Sequence, residues 1–476
     1  MRKLLALVLL LVTAATTAAA TYAFFPRGSD DAVVLPEDPM PGRLLVGFQD
    51  DASLRWAPDR AEMLDRAREA GAVVFRTLVG WHTTAPERPA DPTDPFDPAY
   101  RLDDLDDLAR SSQQRGIELL ITIWGTPEWA NGGRTPNHPP TDHAELESFA
   151  RALADRYSGR HPGYPAVRLY SAWNEPNLEQ FLTPQFDEAG RSVGPALYAP
   201  IARAIYDGVK VGNPDASVAI GETSPRGHDL PGRGRVQDSH SPARFARLLA
   251  EQEPAVHFDA WAQHPYPPRP DVAPSEPVRW PRVGIGNIDR FGDSLDDWFG
   301  RDETPLWLTE YGHETSPSDP VGIDPALQAE FAADALELAA ENTRVRALVW
   351  FILRDTPGNP WQSGIVAEDG TLKPSFAAFA EAARQLDARN PVLPADAEVA
   401  RVPALEIAYY TPAGDPISVS LGGGEDVSVP LGEDGWIDVP LVGDLRRSML
   451  LRATDAGGRT VERRVEPLPE PTDVVG

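Results

Sequence analysis

Apolar residues along the chain fall into short unbroken runs that alternate with longer stretches of helical spacing. The runs cover 44–48, 72–79, 117–124, 167–173, 217–222, 258–264, 305–310 and 346–352. Runs of this kind, without polar alternation, are those of strands covered on both faces, as in a parallel sheet flanked by helices. Between the first two, 58–70 places Ala61, Leu64 and Ala67 on one helical face before Gly71. In the next interval Leu102, Leu105 and Leu108 do the same over 100–115, closed by Gly116. Thr141-Asp142 opens a helix carrying Leu146, Phe149, Ala150 and Leu153, and Ser241-Pro242 opens another through Ala250. Further helices are predicted over 196–211, 288–299, 325–340 and 375–386. Strand and helix therefore alternate eight times. A doubly wound open sheet is the alternative, but it calls for an early Gly-rich phosphate turn, and none occurs. The predicted fold is α/β, a (β/α)8 (TIM) barrel over 43–390.

The pattern changes after Asn390. Alternating runs at 404–410, 417–421, 427–429, 436–439, 449–452 and 460–462 are split by Gly, Asp and Pro turns. They predict a small antiparallel, sandwich-like β domain over 391–476, expected to pack as an appendage, with glycan binding as the alternative role. At the other end, Arg2-Lys3 precede an apolar run and then a Thr/Ala-rich stretch to Phe25, so 1–25 is expected to be a signal peptide or an N-terminal anchor. Residues 26–42 read as an acidic, Pro-rich linker. The expected location is outside the cytoplasm, with membrane attachment only if the N-terminal segment is retained.

Composition narrows the partners. The 476 residues include 44 Lys+Arg against 72 Asp+Glu, a formal charge of −28. That balance argues against nucleic acid and anionic membrane surfaces as partners, and repels a polyanion unless a local basic cleft offsets it. There is no cysteine, which excludes disulfides, thiolate nucleophiles and Cys-ligated metals. The nine histidines show no metal-ligand spacing, so no metal or other cofactor is expected.

Candidate chemistry lies at the strand ends, where barrels place it. The fourth run leads into Trp173-Asn174-Glu175-Pro176-Asn177, where Pro176 ends the ladder. The seventh closes on Glu310-Tyr311-Gly312. Two strand-end glutamates facing each other across one closed sheet supply the proton donor and the ionised partner that glycoside cleavage requires. Asn174 offers an amide to a substrate hydroxyl, and Tyr311 and Arg76, if inward, favour an ionised Glu310.

The stretches Ala70-Gly71 through Arg76 and Trp81, Gly116-Ile117, 126–130 and 173–177 resemble the retaining glycoside hydrolases of clan A, family 39 most and family 5 next. The resemblance covers roughly 43–390. It implies Glu175 as acid/base and Glu310 as nucleophile. His264 and Tyr266 match a His-x-Tyr after strand six, Arg76 the strand-two arginine, and Trp350 an aromatic flooring the sugar subsite. Trp124 stands where family 5 usually has a histidine, and is expected to contact substrate.

Other residues have plainer readings. Glu222 also ends a strand, as a decoy or a substrate hydrogen-bonder; Trp81 and Trp173 are core or stacking platforms. The Arg-rich loop 226–235 is a candidate flap over the cleft, and its basic charge would offset the global acidity for an anionic glycan. The expected function is an exported retaining glycosidase cleaving β-linked oligo- or polysaccharide. The alternatives are a non-catalytic glycan-binding or cell-envelope barrel, and a transglycosylase on the same site.

Overall fold

A computed structural model describes residues 44–232, 236–359 and 361–389, together with six strands between Val399 and Val465. Eight parallel strands close on themselves in sequence order. They are β1 (Leu45–Gln49), β2 (Val74–Gly80), β3 (Glu118–Trp124), β4 (Leu169–Ala172), β5 (Ser217–Thr223), β6 (Ala260–Gln263), β7 (Leu306–Tyr311) and β8 (Val345–Phe351). β8 returns to β1 in parallel register along the whole of β1, which removes both sheet edges. Each strand is followed by one main helix: α1 (Arg60–Glu69), α2 (Asp103–Gln113), α3 (His143–Arg156), α4 (Gly194–Gly212), α5 (Pro242–Ala250), α6 (Ile288–Phe299), α7 (Pro325–Glu341) and α8 (Pro374–Arg389).

Local chemistry explains several boundaries. Asp142 caps α3 by accepting from Ala144 N at 3.0 Å, and Asp324 caps α7 by accepting from Ala326 N at 2.8 Å. Such caps contribute about 1 kcal/mol each. α5 starts on Pro242 at its first turn, while the Ser241 hydroxyl donates to Asp229 Oδ2 rather than to the helix end. β6 is shorter than expected because Asp259 lies outside the ladder: its carboxylate accepts from Val218 N and pairs with Lys210.

Strand alternation divides the core in two. Leu45, Val74, Leu120, Leu169, Ala219, Ala262, Trp307 and Val349 form one buried apolar cluster inside the ring. Their sequence neighbours Val46, Phe75, Ile121, Tyr170, Ile220, Trp261, Leu308 and Trp350 belong to the larger cluster shared with the helices. The apolar plug fills the interior near the strand starts, and polar side chains fill it towards the strand ends.

Beyond the barrel, β9 (Val399–Pro403) pairs antiparallel with β12 (Trp436–Pro440). β10 (Pro416–Leu421), β11 (Val427–Pro430), β13 (Met449–Thr454) and β14 (Thr460–Val465) form a second antiparallel sheet. The expected strand at 404–410 and the N-terminal segments at 1–25 and 26–42 lie outside the described residues. No helix among the described residues is long and apolar enough to cross a membrane.

Candidate active site

Three backbone irregularities at the strand ends aim the polar groups. β4 ends at Ala172, one residue earlier than the apolar run, because Trp173 turns to φ 69°. Glu175 and Glu222 also have positive φ, at 40° and 46°. Non-glycine residues rarely occupy this region, and each costs on the order of 1–3 kcal/mol, which the surroundings must offset. The turn buries the Trp173 ring in the core, where its Nε1 donates to Phe181 O at 2.7 Å. Asn174 and Glu175 are thereby released to the barrel mouth.

Glu222 would follow the outward parity of Ile220, but the β5–β6 register slips between Gly221 and Thr223. With its positive φ, this bulge swings the carboxylate into the ring. A second slip, between Leu308 and Tyr311 of β7, lets the successive residues Thr309 and Glu310 both reach the interior network.

Arg76, fully buried, is the hub. Its Nη1 donates to Glu310 Oε1 at 2.7 Å and also to Gln49 Oε1. Nη2 donates to Asn174 Oδ1 at 2.8 Å and to Glu222 Oε2 at 3.2 Å, and Nε donates to Thr122 Oγ1 at 2.9 Å. The Tyr266 hydroxyl donates to Glu310 Oε2 at 3.0 Å. His264 bridges the glutamates, with Nδ1 3.0 Å from Glu175 Oε1 and Nε2 2.8 Å from Glu222 Oε2. Its Nδ1 is also 3.5 Å from Glu310 Oε2. One ligand atom from each of Glu175, His264 and Glu310 lies within 4.8 Å of the other two.

Burial alone would hold the His264 pKa down, but Glu310, Glu175 and Glu222 outweigh it and raise the pKa to about 9. At neutral pH the ring is therefore an imidazolium that donates from both nitrogens. The three side chains, Glu175, His264 and Glu310, form a hydrogen-bonded cluster. Burial likewise opposes the charge on Glu222, yet the Arg76 guanidinium and the His264 hydrogen bond bring it down to about 2. Arg76 remains cationic despite burial, through Glu222 and Glu310. The buried charges are thus paired, as a low-dielectric site demands.

Above this network lies a cleft of about 370 Å³. Glu175 and Glu310 line it, with Asn174, Tyr266, Gln49, Phe181, Phe351 and Trp361 among their neighbours. Arg76 and His264 stand directly beneath the two carboxylates. Glu310 is 12 % and Glu175 15 % exposed, whereas Glu222 is inaccessible. Glu222 is thus neither decoy nor substrate contact but the buried counter-ion of Arg76 and His264.

Two sequence expectations are corrected. Trp350 does not line the cleft: it is fully buried on the outward face of β8, against Phe379 of α8, with Nε1 donating to Ser363 O at 2.8 Å. Strand parity turns the next residue, Phe351, to the cleft instead, and Trp361 from the following loop packs 5.1 Å from the Tyr266 ring. Tyr311 also points outward, its hydroxyl donating to His313 Nε2 at 2.7 Å, and Tyr266 serves Glu310 in its place. Trp124 sits half-buried between His82 and the cleft-lining Phe181.

Residues not singled out in sequence include Gln49, Phe181, Trp361 and Arg282. Gln49 carried a signal, as the polar end of an apolar strand; the loop residues carried none. Asn177, the last residue of the Trp-Asn-Glu-Pro-Asn motif, is a clamp. Its Nδ2 donates to His240 O at 2.8 Å and Ser224 O at 3.2 Å, while its Oδ1 accepts from Ser224 N at 2.9 Å.

No protein-family model matches the sequence, and no curated protein matches it. Solved structures do. A glucosidase from Croceicoccus marinus superposes with a TM-score of 0.54 at 18 % identity, over 74 % of this chain and 69 % of its own. A family 39 glycoside hydrolase from Bacteroides cellulosilyticus WH2 gives 0.52 at 18 %, over 84 % and 79 %. The GH5_18 protein of Streptomyces cattleya, solved with GlcNAc, gives 0.52 at 17 %, over 74 % and 82 %. These are glycoside hydrolase barrels, and the chain shares their fold. At such identities the likeness carries the architecture, and the chemistry rests on the side chains described above.

Proposed function

We propose that the protein is a retaining glycoside hydrolase that cleaves β-linked oligo- or polysaccharides by double displacement. The observation that carries this reading is the approach of the Glu175 and Glu310 carboxylate oxygens to within 4.8 Å across the mouth of the cleft. Retaining enzymes hold their two carboxyl groups about 5–5.5 Å apart, whereas inverting enzymes separate them by about 6.5–9.5 Å to admit a water. An approach of single oxygens to within 4.8 Å is in keeping with the retaining spacing, in which the carboxylate attacks the sugar directly.

In this mechanism Glu310, with donors on both oxygens, attacks the anomeric carbon. The bond to the leaving oxygen breaks as Glu175 supplies its proton, leaving a glycosyl ester on Glu310. Glu175 Oε1 is engaged by His264, so Oε2 is the oxygen available for proton transfer. In the second step Glu175 takes a proton from water, whose oxygen attacks the anomeric carbon and frees Glu310. His264 and Arg76 balance the negative charge that moves between the two glutamates. Asn174, fixed by Arg76, presents its amide nitrogen to a sugar hydroxyl, and Phe181, Phe351 and Trp361 offer apolar faces.

Export, which rests on the basic and apolar N-terminal sequence, and a separate β domain, which rests on the strands β9–β14, are also part of the proposal. A panel of aryl β-glycosides, with the first-formed anomer followed by proton NMR, tests the reading. Retained configuration on at least one glycoside is expected. An inverted anomer, or no turnover across the panel, overturns it.

A further inference from the structure

The chain is strongly acidic, with 72 acidic against 44 basic residues, but its cleft is not. Among the described lining residues the acidic ones are Glu175 and Glu310 alone, and two exposed arginines, Arg226 and Arg282, line the same cleft. Arg226 comes from the loop after β5 and Arg282 from the loop after β6. Val283 N donates to Pro225 O at 3.2 Å, so the two loops are joined immediately beside both arginines.

Both positions are braced from behind. Asn177 Nδ2 reaches Arg226 O at 3.4 Å in addition to its contacts with Ser224 and His240. Asn287 Nδ2 donates to Arg282 O at 3.0 Å while its Oδ1 accepts from Gly284 N at 2.8 Å. Among the described residues neither guanidinium has an ion-pair partner. The Arg226 charge is felt at the half-buried Glu314, without a salt bridge between them. On so acidic a surface, two guanidinium groups without ion-pair partners, carried on braced backbone and lining the same cleft as the candidate catalytic pair, are placed for an anion in the cleft rather than for a protein carboxylate. Guanidinium groups suit planar carboxylates and sulfates, which they bind through paired N–H donors.

From this arrangement we infer that the substrate is an anionic saccharide, whose carboxylate or sulfate is held by Arg226 and Arg282. The inference rests on the glycosidase reading and adds the substrate class to it. The two arginines offset the long-range repulsion from the acidic surface, which is screened beyond about 8 Å at physiological salt. They select a sugar that the rest of the surface would discourage.

The test uses the Glu310→Gln variant, so that ligands survive, and calorimetric titration at low salt. The ligands are matched pairs: β-1,4-linked glucuronate, mannuronate and galacturonate oligomers against their carboxyl-reduced counterparts, and sulfated oligomers against the same chains desulfated. The acidic member of at least one pair is expected to bind about tenfold more tightly, in keeping with charge-assisted hydrogen bonds. Preference in the uronate or in the sulfate pairs identifies the anion. Adding Arg226→Gln and Arg282→Gln should collapse the ratio towards one, and the double Lys variant should restore part of it.

Equal or tighter binding of the neutral member in every pair overturns the inference. So does a preference that persists in the double Gln variant, or no binding by any acidic member. Turnover of neutral aryl glycosides by the unaltered protein separates failure of this inference from failure of the glycosidase reading. An unchanged Tm of each variant shows that the fold is intact.

Discussion

The ends of β5 and β7 make an instructive pair. Each carries a glutamate displaced into the barrel by a register slip, and each glutamate accepts a hydrogen bond from Arg76. Around Glu222 the network is closed to solvent: Arg76, His264 and Thr309 all donate to Oε2, while the buried Oε1 has no hydrogen-bond partner among the described residues. Around Glu310 it is open on one side, where Arg76 and Tyr266 hold the oxygens while the carboxylate borders the cleft. The same residue type at the same kind of strand end is thus a structural counter-ion in one place and a candidate nucleophile in the other. Access to the cleft makes the difference.

The sharpest way to break this comparison is to remove each carboxylate in turn. Glu310→Ala should lower kcat by about 10⁴-fold or more, as loss of a group from a concerted catalytic set does. Residual turnover within tenfold of the unaltered protein would deny Glu310 the nucleophile's role. Glu222→Gln should act chiefly on stability. It leaves Arg76 and His264 without their buried counter-charge, a change that typically costs about 3–5 kcal/mol. Urea unfolding measures it, and a loss below about 1 kcal/mol would show that Glu222 is not the closed-network anion described here.

Titration gives a smaller and more graded distinction. The folded His264 pKa of about 9 exceeds the ordinary 6.5, so its contribution is complete below pH 6.5 and is lost as pH rises through 9. Glu222 has the opposite sign: at about 2 against 4.5, its contribution is complete above pH 4.5 and is lost as pH falls towards 2. Between pH 6.5 and 9 stability should therefore decline, by at most about 1.4 kcal/mol per pH unit from this one proton. His264→Gln should flatten that limb and also shrink the acid limb, because His264 helps Arg76 hold the Glu222 pKa down. A limb that persists unchanged would assign the titration to another group.

The smallest expected effect separates the cleft from the core around β8. Trp361→Ala should raise KM about 3- to 10-fold, as loss of an aromatic contact of about 0.5–1.5 kcal/mol would, with Tm nearly unchanged. Trp350→Phe, on the outward face, should lower Tm and leave KM alone. The reverse pattern would restore Trp350 to the sugar subsite.

Much of the barrel was legible because its code is repetitive. Eight apolar runs and eight helical stretches announce the alternation, and the helix ends carry Asp, Pro and Gly at the expected places. The two glutamates were visible because each closes an apolar run. Assignments that depend on one residue of parity were less secure. Trp350 and Tyr311 looked suitable by type, yet strand alternation turns both towards the helices, leaving Phe351, Trp361 and Tyr266 around the cleft. Glu222 could not be told from a substrate ligand until its donors were located. Phe181, Trp361 and Arg282 sit on loops whose path no local pattern encodes.

By itself the sequence determined the element order, the closed parallel architecture and the two acidic groups at its mouth. These follow from hydrophobic periodicity and from residues that end strands, both properties of near neighbours in the chain. Only the tertiary structure decided which groups meet. Gln49, Arg76, Asn174, Glu222, His264 and Glu310 come from six different strands or strand ends, and their contacts depend on two bulges and three left-handed residues. Such displacements are fixed by packing between distant segments, and a backbone shift of one register position turns a side chain from cleft to core.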